Sequence, residues 1–431
     1  MRVSVIGCGY LGAVHAACMA ELGHDVVGID VDAQKIAGLQ AGHSPFFEPR
    51  LDELLAAPHG RLQFSTTVAD VRSATVHFIA VGTPQQTNGY AADMSFVDAA
   101  VHSLLPHIGP GDLVVGKSTV PVGTAARLAD LVEATGARLA WNPEFLREGF
   151  AVSDTLSPDR LVYGVRPNDH ASPAVLDEVY ARTLADGTPR IVTDFATAEL
   201  VKVSANAFLA TKISFINAMA EIAEVTGADI GTLADAIGAD ARIGRRFLNA
   251  GVGFGGGCLP KDIRAFQARA AELGVGHALA FLGEVDQINL RRRQRVVDLV
   301  AHHLGGELTG RTVAVLGLSF KPNSDDVRDS PALDVASRLL AAGATVRATD
   351  PEAIETSRRR EPAIDYRSTV GETVEGADAV LVLTEWREYC ELDPTALAAQ
   401  TTARLVIDGR NCLDPAAWRA AGWTYVGLGR P

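Results

Sequence analysis

The chain has 431 residues, which at roughly 150 per domain makes about three domains, enough to bury several cores without disulfide or metal staples. With 47% hydrophobic and 21% charged residues it has the composition of an ordinary globular chain, which excludes global disorder. The 52 acidic residues outnumber the 39 basic ones to give a net charge of −13 at pH 7, so no basic field exists to condense onto nucleic-acid phosphates. Five cysteines, Cys8, Cys18, Cys258, Cys390 and Cys412, are scattered with no CxxC pair, which argues against a disulfide framework or a structural zinc. No metal is expected, and the setting is expected to be reducing and cytoplasmic. The longest apolar runs are strand-sized, well short of the ~18 residues of a membrane span, and residues 1–7 are too short an apolar stretch for a secretory signal.

Short β-branched runs at 3–6, 26–29, 76–81 and 113–115 alternate with helix-patterned segments, the pattern of βαβ units around a parallel sheet, and this first domain is expected over 1–196. From residue 197 the texture changes. No Pro or Gly occurs until Gly227, which predicts one long helix, and a second is predicted over 278–304. Helices of ~40 Å, at 1.5 Å per residue, commonly bridge domains or pair across a subunit interface, so 197–304 is expected to be a helical region that pairs in a homodimer. After Gly305-Gly306, strand-like runs at 312–316, 345–349, 379–383 and 405–407 predict a second, smaller doubly wound domain over 305–431. The expected fold class is therefore α/β, with two doubly wound Rossmann-like domains joined by a central helical region that contains a long helix.

Gly7-Cys8-Gly9-Tyr10-Leu11-Gly12 follows the first strand and opens an Ala-rich helix, and a second strand ends at Asp30, 18 residues after Gly12. Strand, glycines, helix, strand and acid in that order are a dinucleotide fingerprint. The glycines bring backbone N–H groups and the helix N-terminus up to a pyrophosphate, while the Asp30 carboxylate accepts from the ribose hydroxyls and repels a 2′-phosphate. NAD is expected over NADP. The C-terminal unit opens Leu316-Gly317-Leu318-Ser319-Phe320-Lys321 with a single glycine, so no second dinucleotide is expected there. Lys321, Arg328 and Arg410 either reach a phosphate at a switch point or are solvated surface charges.

The segment from Gly251 to Asp262 has five glycines in seven residues before Cys258, and Pro260 follows. Proline is at home in a first helical turn, so Cys258 is placed at a helix N-terminus, where the macrodipole and Lys261 favour the thiolate. The glycines are expected to let a ligand's phosphates and sugar press on bare backbone. The other four cysteines read as small buried hydrophobes. Lys202 and Asn206, four apart, share one helix face, and either hydrogen-bond an oxyanion or sugar hydroxyl or lie on a solvated face. Glu144 and Glu148 lie at the sheet edge where open α/β sheets bind ligands, and either can serve as a general base. The residues alone point to an NAD-dependent dehydrogenase with a covalent cysteine.

Taken together, GCGYLG at 7–12, VGTP at 81–84, KSTVPVGT at 117–124, NPEFLREG at 142–149, ELVKVSANAFLATKISFINA at 199–218, RIGRRFLNAGVGFGGGCLPKD at 242–262, SFKPNSDDVRDSP at 319–331 and DGRN at 408–411 resemble the nucleotide-sugar 6-dehydrogenase family over nearly the whole chain. The resemblance implies a four-electron oxidation of a sugar C6 alcohol to a carboxylate with two NAD and one water. It implies Cys258 as the nucleophile that holds the aldehyde as a thiohemiacetal and then as a thioester. Glu144 is then the base for hydrolysis, Asp262 and Thr119 place the water, and Lys202 and Asn206 steady the oxyanion. For NAD the resemblance implies contacts from Gly7, Gly9, Tyr10, Leu11, Gly12, Asp30 and Lys35, joined by Thr83, Thr119, Glu148, Lys261 and Arg328. For the sugar nucleotide it implies Glu144, Phe145, Leu146, Lys202, Asn206, Asn249, Gly255, Lys321 and Arg410, with Arg242 reaching the substrate of a neighbouring subunit. One departure is Gly257, where many members carry Ser, which implies a slightly looser loop. The glycine-rich segment is most similar to the branch acting on UDP-glucose, ahead of those acting on GDP-mannose or UDP-N-acetylhexosamines. A non-catalytic nucleotide-sugar sensor would have lost Cys258, Lys202 or Glu144, and a two-electron dehydrogenase would need no thiol.

Overall fold

The computed structural model describes residues 1–57, 60–402 and 404–431, which form two compact units: Met1–Ala205 with Ala265–Gly276, and Asn206–Arg264 with His277–Pro431. In the first unit β1 (Arg2–Ile6), β2 (Asp25–Ile29), β3 (Leu62–Ser65), β4 (Val76–Ile79), β5 (Leu113–Gly116), β6 (Arg138–Trp141), β7 (Leu161–Gly164) and β8 (Arg190–Thr193) build one sheet in the order β3-β2-β1-β4-β5-β6-β7-β8. Among the described residues every neighbouring pair in it is parallel except β6–β7. The strands β4, β5 and β7 are buried along their whole length, which is why they read as apolar runs rather than as alternating ones. The helix Tyr10–Glu21 buries residues 12–20 on this sheet, and its many alanines let it lie close. Strand order reverses between β1 and β4, which opens a crevice beyond their C-terminal ends. The strand predicted over 76–81 ends at Ile79: Ala80 still donates to the Ile6 carbonyl at 2.8 Å, and the chain then turns away.

The second unit holds β9 (Thr312–Leu316), β10 (Thr345–Thr349), β11 (Asp365–Tyr366), β12 (Ala379–Val382), β13 (Leu405–Asp408) and β14 (Thr424–Gly427), all parallel, in the order β11-β10-β9-β12-β13-β14. Its switch point lies between β9 and β12. Two long helices, Phe195–Thr226 and Phe281–His303, match the predicted pair, the second starting three residues later than expected because Gly276–Leu279 forms a 3₁₀ turn. The α/β class with two Rossmann-like sheets and a helical region is therefore what the chain adopts. Cys8 and Cys18 are buried as expected, whereas Cys390 and Cys412 are only half-buried.

One buried carboxylate holds a loop of the first unit. Glu199 accepts the N–H of Gly123 at 2.7 Å and of Ala125 at 2.6 Å, closing the N-terminus of the helix Thr124–Glu133. Burial raises the Glu199 carboxyl, and these N–H groups oppose the rise. Glu199→Ala strands the buried Ala125 N–H and leaves the Gly123 N–H to water, so urea unfolding of the full chain should show a loss of about 1–3 kcal/mol. A loss below about 0.5 kcal/mol would mean that water replaces the carboxylate.

Candidate functional site

The first turn of the first unit is shaped by glycines with different duties. Gly7 has φ +90°, and a Cβ there would lie 2.6 Å from the Val81 side chain. At Gly12 a Cβ would overlap the Gly7 carbonyl, so only glycine lets the helix start this close to the strand. Gly9 differs, since a Cβ there would meet nothing within 4 Å, and the same holds at Gly82. The space over Gly9, at a helix N-terminus beyond β1, is a cradle that a side chain would fill, and it fits a dinucleotide pyrophosphate.

Asp30 follows β2. Its Oδ2 accepts the Cys8 N–H at 2.8 Å and pairs with Lys35 Nζ at 2.9 Å, and its Oδ1 accepts the Asp32 N–H at 3.0 Å. Burial pushes this carboxyl up, but Lys35 and the two N–H groups outweigh it and hold Asp30 below the usual carboxylate range, so it is an ionised acceptor. The Thr83 hydroxyl donates to the Thr119 carbonyl at 2.8 Å, joining the loops after β4 and β5. Tyr10 donates to Glu48, and Glu48 accepts the N–H of Gly149 at 2.6 Å and of Ala151 at 2.7 Å. This ties the Glu148-Gly149 loop to the glycine turn, with Leu11 half-buried beside Tyr10. The NAD residues named from the sequence in this unit thus all lie on loops or helix starts at one edge of its sheet, whereas Lys261 and Arg328 belong to the second unit.

Beyond β6, Glu144 pairs through Oε1 with Lys202 Nζ at 3.0 Å, and its Oε2 accepts the Leu146 N–H at 2.8 Å. Lys202 is 5% exposed, which rules out the solvated helix face. The ring of Phe145 lies under the Arg160 guanidinium, 3.7 Å from the centroid, with Lys202 Nζ at 5.8 Å. Phe145 thus packs against two cations, one of them the partner of Glu144, and Leu146 holds the carboxylate through its backbone.

In the second unit Cys258 immediately precedes the helix Leu259–Glu272, as its Pro260 foretold, and is exposed. One turn on, the Asp262 N–H donates to the Cys258 carbonyl at 2.9 Å. Asp262 is 3% exposed, takes Asn206 Nδ2 at 2.7 Å, and pairs with Lys261 at 2.6 Å, so the Lys261 charge is answered by Asp262. Asn206 is buried, not on a solvated face.

The glycine-rich segment has a packing role that the sequence reading did not assign to it. A Cβ at Gly251 would lie 2.7 Å from the Gly409 carbonyl and at Gly256 2.7 Å from the Phe320 ring; at Gly253, Gly255 and Gly257 it would collide with Asn289, the Asp329 carbonyl and the Arg328 guanidinium. Gly251, Gly253 and Gly255 are thus required by the protein's own packing, whereas at Gly257 the neighbour is the end of a flexible side chain. Arg410 is likewise no solvated charge: it donates to the carbonyls of Leu383 (2.8 Å), Gly253 (2.9 Å) and Phe320 (3.0 Å) and pairs with Glu385, tying the glycine segment to the ends of β9, β12 and β13. Arg328 is about half exposed and forks onto Asp326, and Lys321 lies over the Phe320 ring at 5.2 Å. Arg242 is 89% exposed and chelates Asp240, and Asn249 is exposed and accepts from Arg245 at 2.7 Å. Neither joins the cysteine cluster within the chain.

Sequence reasoning missed Glu48, Glu199 and Arg160. Each acts on a partner far along the chain; Glu48 and Gly149, for instance, are 101 residues apart, so no local pattern announces them.

Three family models match in sequence order: the UDP-glucose/GDP-mannose dehydrogenase NAD-binding domain over residues 1–184, the central domain over 196–291 and the UDP-binding domain over 314–415. The chain is 42% identical to a UDP-glucose 6-dehydrogenase of Bacillus subtilis (strain 168) over 100% of this chain and 98% of that protein. A UDP-glucose dehydrogenase structure from the archaeon Pyrobaculum islandicum superposes with TM-score 0.90 at 38% identity, covering 100% of this chain and 98% of that one. A UDP-D-ManNAc dehydrogenase structure from Pyrococcus horikoshii has TM-score 0.86 at 26% identity, covering 100% and 99%.

The two kinds of glycine separate in a test. Gly9→Ala should leave the melting temperature within about 2 °C and weaken NAD binding at least about tenfold by calorimetric titration, because the methyl group fills the cradle without touching the protein. Unchanged NAD affinity in a folded Gly9→Ala chain would remove the pyrophosphate from that space.

Proposed function

Because the chain belongs to the UDP-glucose/GDP-mannose dehydrogenase family, we propose that it is an NAD-dependent enzyme that oxidises UDP-glucose to UDP-glucuronate. The observation that carries the reading is Cys258, an exposed thiol at a helix start with the buried Asp262 one turn on and Asn206 bonded to that carboxylate, in a chain whose other unit offers the Glu144–Lys202 pair. An ordinary two-electron alcohol dehydrogenation needs no thiol. NAD, when bound by the Gly9 cradle and Asp30, supplies the acceptor for the hydride that leaves C6 in each oxidation.

The chain's own residues do the rest. After the first oxidation the Cys258 sulfur adds to the C6 aldehyde, a C–S bond forms, and the carbonyl oxygen takes up a proton. Covalent capture keeps the aldehyde from escaping. Lys202 and Asn206 donate to that oxygen as it gains charge. Oxidation of the thiohemiacetal leaves a thioester. Glu144 takes a proton from water as its oxygen attacks the thioester carbon, the C–S bond breaks and the thiolate is restored, with Thr119 and Asp262 orienting the water. Alcohol, two oxidised cofactors and water thus become carboxylate, two reduced cofactors and three protons.

Phe145, Leu146, Asn249, Gly255, Lys321 and Arg410 are proposed sugar-nucleotide contacts, and Lys35, Thr83, Glu148, Lys261 and Arg328 proposed NAD contacts. The working division is 1–196 for NAD, 197–304 for dimerisation and 305–431 for the UDP-sugar. Phe208, Phe215 and Ile222, seven apart and exposed on the helix Phe195–Thr226, with Val225 beside them, support a homodimer paired along that helix. Arg242, reaching outward, suits the role toward a neighbouring copy's substrate. Among the described residues no helix is long and apolar enough to cross a membrane, and we assign the enzyme to the cytoplasm, where its product would feed polysaccharide synthesis.

The test is NADH formed per limiting nucleotide sugar, run separately with UDP-glucose, GDP-mannose and UDP-N-acetylhexosamines. Two NADH per UDP-glucose is expected; two with another sugar alone would move the specificity, and one would break the four-electron scheme. Cys258→Ser should abolish acid formation while NAD still binds. Glu144→Gln should slow thioester hydrolysis by about 10²- to 10⁴-fold and leave an acyl adduct visible by intact mass spectrometry.

A further inference from the structure

Strands β5 and β6 leave the first sheet side by side: Gly116 pairs with Trp141, and the Asn142 N–H donates to the Gly116 carbonyl at 2.8 Å. The next residue after β5 is Lys117, and its side chain turns inward and is buried. Its Nζ donates to Asn142 Oδ1 at 3.0 Å and to the Tyr180 hydroxyl at 3.2 Å, and lies 5.8 Å from the Phe78 centroid and 5.7 Å from that of Tyr180. The Tyr180 hydroxyl donates to the same Asn142 oxygen at 2.8 Å, and Asn142 Nδ2 donates to the Val162 carbonyl at 3.0 Å. Among the described residues no carboxylate lies within ion-pair distance of this ammonium. A buried cation with neutral partners is costly, and an apolar side chain of the same length would pack the site more cheaply. The charge therefore calls for an explanation beyond packing.

The titratable groups around it narrow the explanation. From the helix Tyr10–Glu21 comes His15, edge-on to Phe78, whose imidazole burial and the Lys117 charge hold far below its usual range. His77, next to Phe78 on β4, bonds Ser4 instead. Tyr180 and the Tyr163 stacked on it have phenols that burial pushes upward. Burial likewise pushes Lys117 down, to about 8, and the group that opposes this is Glu144, two residues beyond Asn142. The carboxylate that feels Lys117 is thus the one assigned as general base.

We propose that Lys117 is a positioning residue for Glu144: its buried ammonium grips the Asn142 amide, and through it the Asn142-Pro143-Glu144 turn, and supplies that carboxylate with a fixed positive charge. The inference rests on Glu144 acting as the base for thioester hydrolysis. Asn142 is held through both side-chain heteroatoms, and Pro143 fixes the next backbone torsion, so the direction in which Glu144 leaves the sheet follows from the Asn142 side chain. Lys202 also pairs with Glu144, at 3.0 Å, but it is the cation assigned to the substrate oxyanion. When Lys202 turns to that oxygen, Lys117 is the cation left with the base.

The test is the pH dependence of acyl-enzyme decay in the full chain, followed by quenched-flow intact mass spectrometry with UDP-glucose and NAD. In the unsubstituted protein the rate should fall on an acidic limb set by Glu144. Lys117→Met should move that limb up by about 0.5–1 pH unit and slow hydrolysis about tenfold at pH 7, with NAD affinity and the KM for UDP-glucose within about twofold. Lys117→Arg, which keeps the charge, should leave the limb in place. Where the methionine variant does not fold, Lys117→Gln removes the charge while keeping a donor for Asn142 and is held to the same shift. An unmoved limb in the neutral variants, with Glu144→Gln abolishing it, overturns the role of Lys117 alone. A limb that persists in Glu144→Gln overturns the base assignment and this inference with it.

Discussion

After the opening strand of each sheet one more N–H, of Gly7 or Gly317, still bonds the neighbouring strand, and a carboxylate at the end of that strand takes the N–H groups that follow. Asp30 accepts from Cys8 at 2.8 Å, and Asp350 from Leu318 and Ser319 at 2.7 and 3.0 Å. The turn is alike in both: Gly7 and Gly317 have φ +90° and +98°, and each is crowded by the residue after the switch-point strand, Val81 or Thr384. Past the turn the two sheets part ways. In the first sheet Gly9 leaves open space, and Asp30 meets Lys35 and two amides. In the second, Ser319 stands where Gly9 does, its hydroxyl and Trp386 Nε1 both bond Asp350, and the other Asp350 oxygen takes the N–H groups of Glu352 and Ala353. One acid keeps capacity for a ribose, while the other is occupied as a post for its own sheet.

The reactive side chains are held in the same manner, by partners within their own unit. Glu144 rests on Lys202, and Asp262 on Asn206 and Lys261. Buried pairs of this kind contribute little net stability, because desolvation offsets the attraction. Their value here is geometric and electrostatic. Glu144, the proposed base, is set against a cation, and Asp262, proposed to orient water, is anchored at both oxygens.

Legibility depends on the range over which each feature is encoded. The glycine turn and Asp30 lie within 24 residues, and the strand, helix and acid that give the turn meaning are contiguous, so sequence alone placed them. The cysteine at a helix start was legible for the same reason, through Pro260. The edge strands were not: β8 is largely exposed and β11 has two residues, so neither shows the apolar run that marks β4 or β12. The Lys117–Asn142–Tyr180 cluster was illegible as well, because three residues spread over 63 positions meet only once the sheet forms. The glycine-rich segment shows the opposite error. Its composition is obvious, yet glycine admits any close neighbour, and only the fold shows that the neighbours are Gly409, Asn289, Asp329, Phe320 and Arg328.

That correction changes what Gly257 means. Against the serine common in the family, a bare residue before the nucleophile suggested slack. In this chain the volume a side chain would need is filled by the Arg328 guanidinium, and the preceding Gly256 donates its N–H to the Arg328 carbonyl at 2.9 Å. The segment is thus held by Arg328 through both backbone and side chain, while the fork from Asp326 fixes the guanidinium itself. A serine at 257 would have to displace that guanidinium, which is the end of a flexible side chain and can move, but would then leave the charge elsewhere. Gly257 and the resting position of Arg328 therefore specify each other, and the guanidinium occupies the volume that a side chain before Cys258 would take.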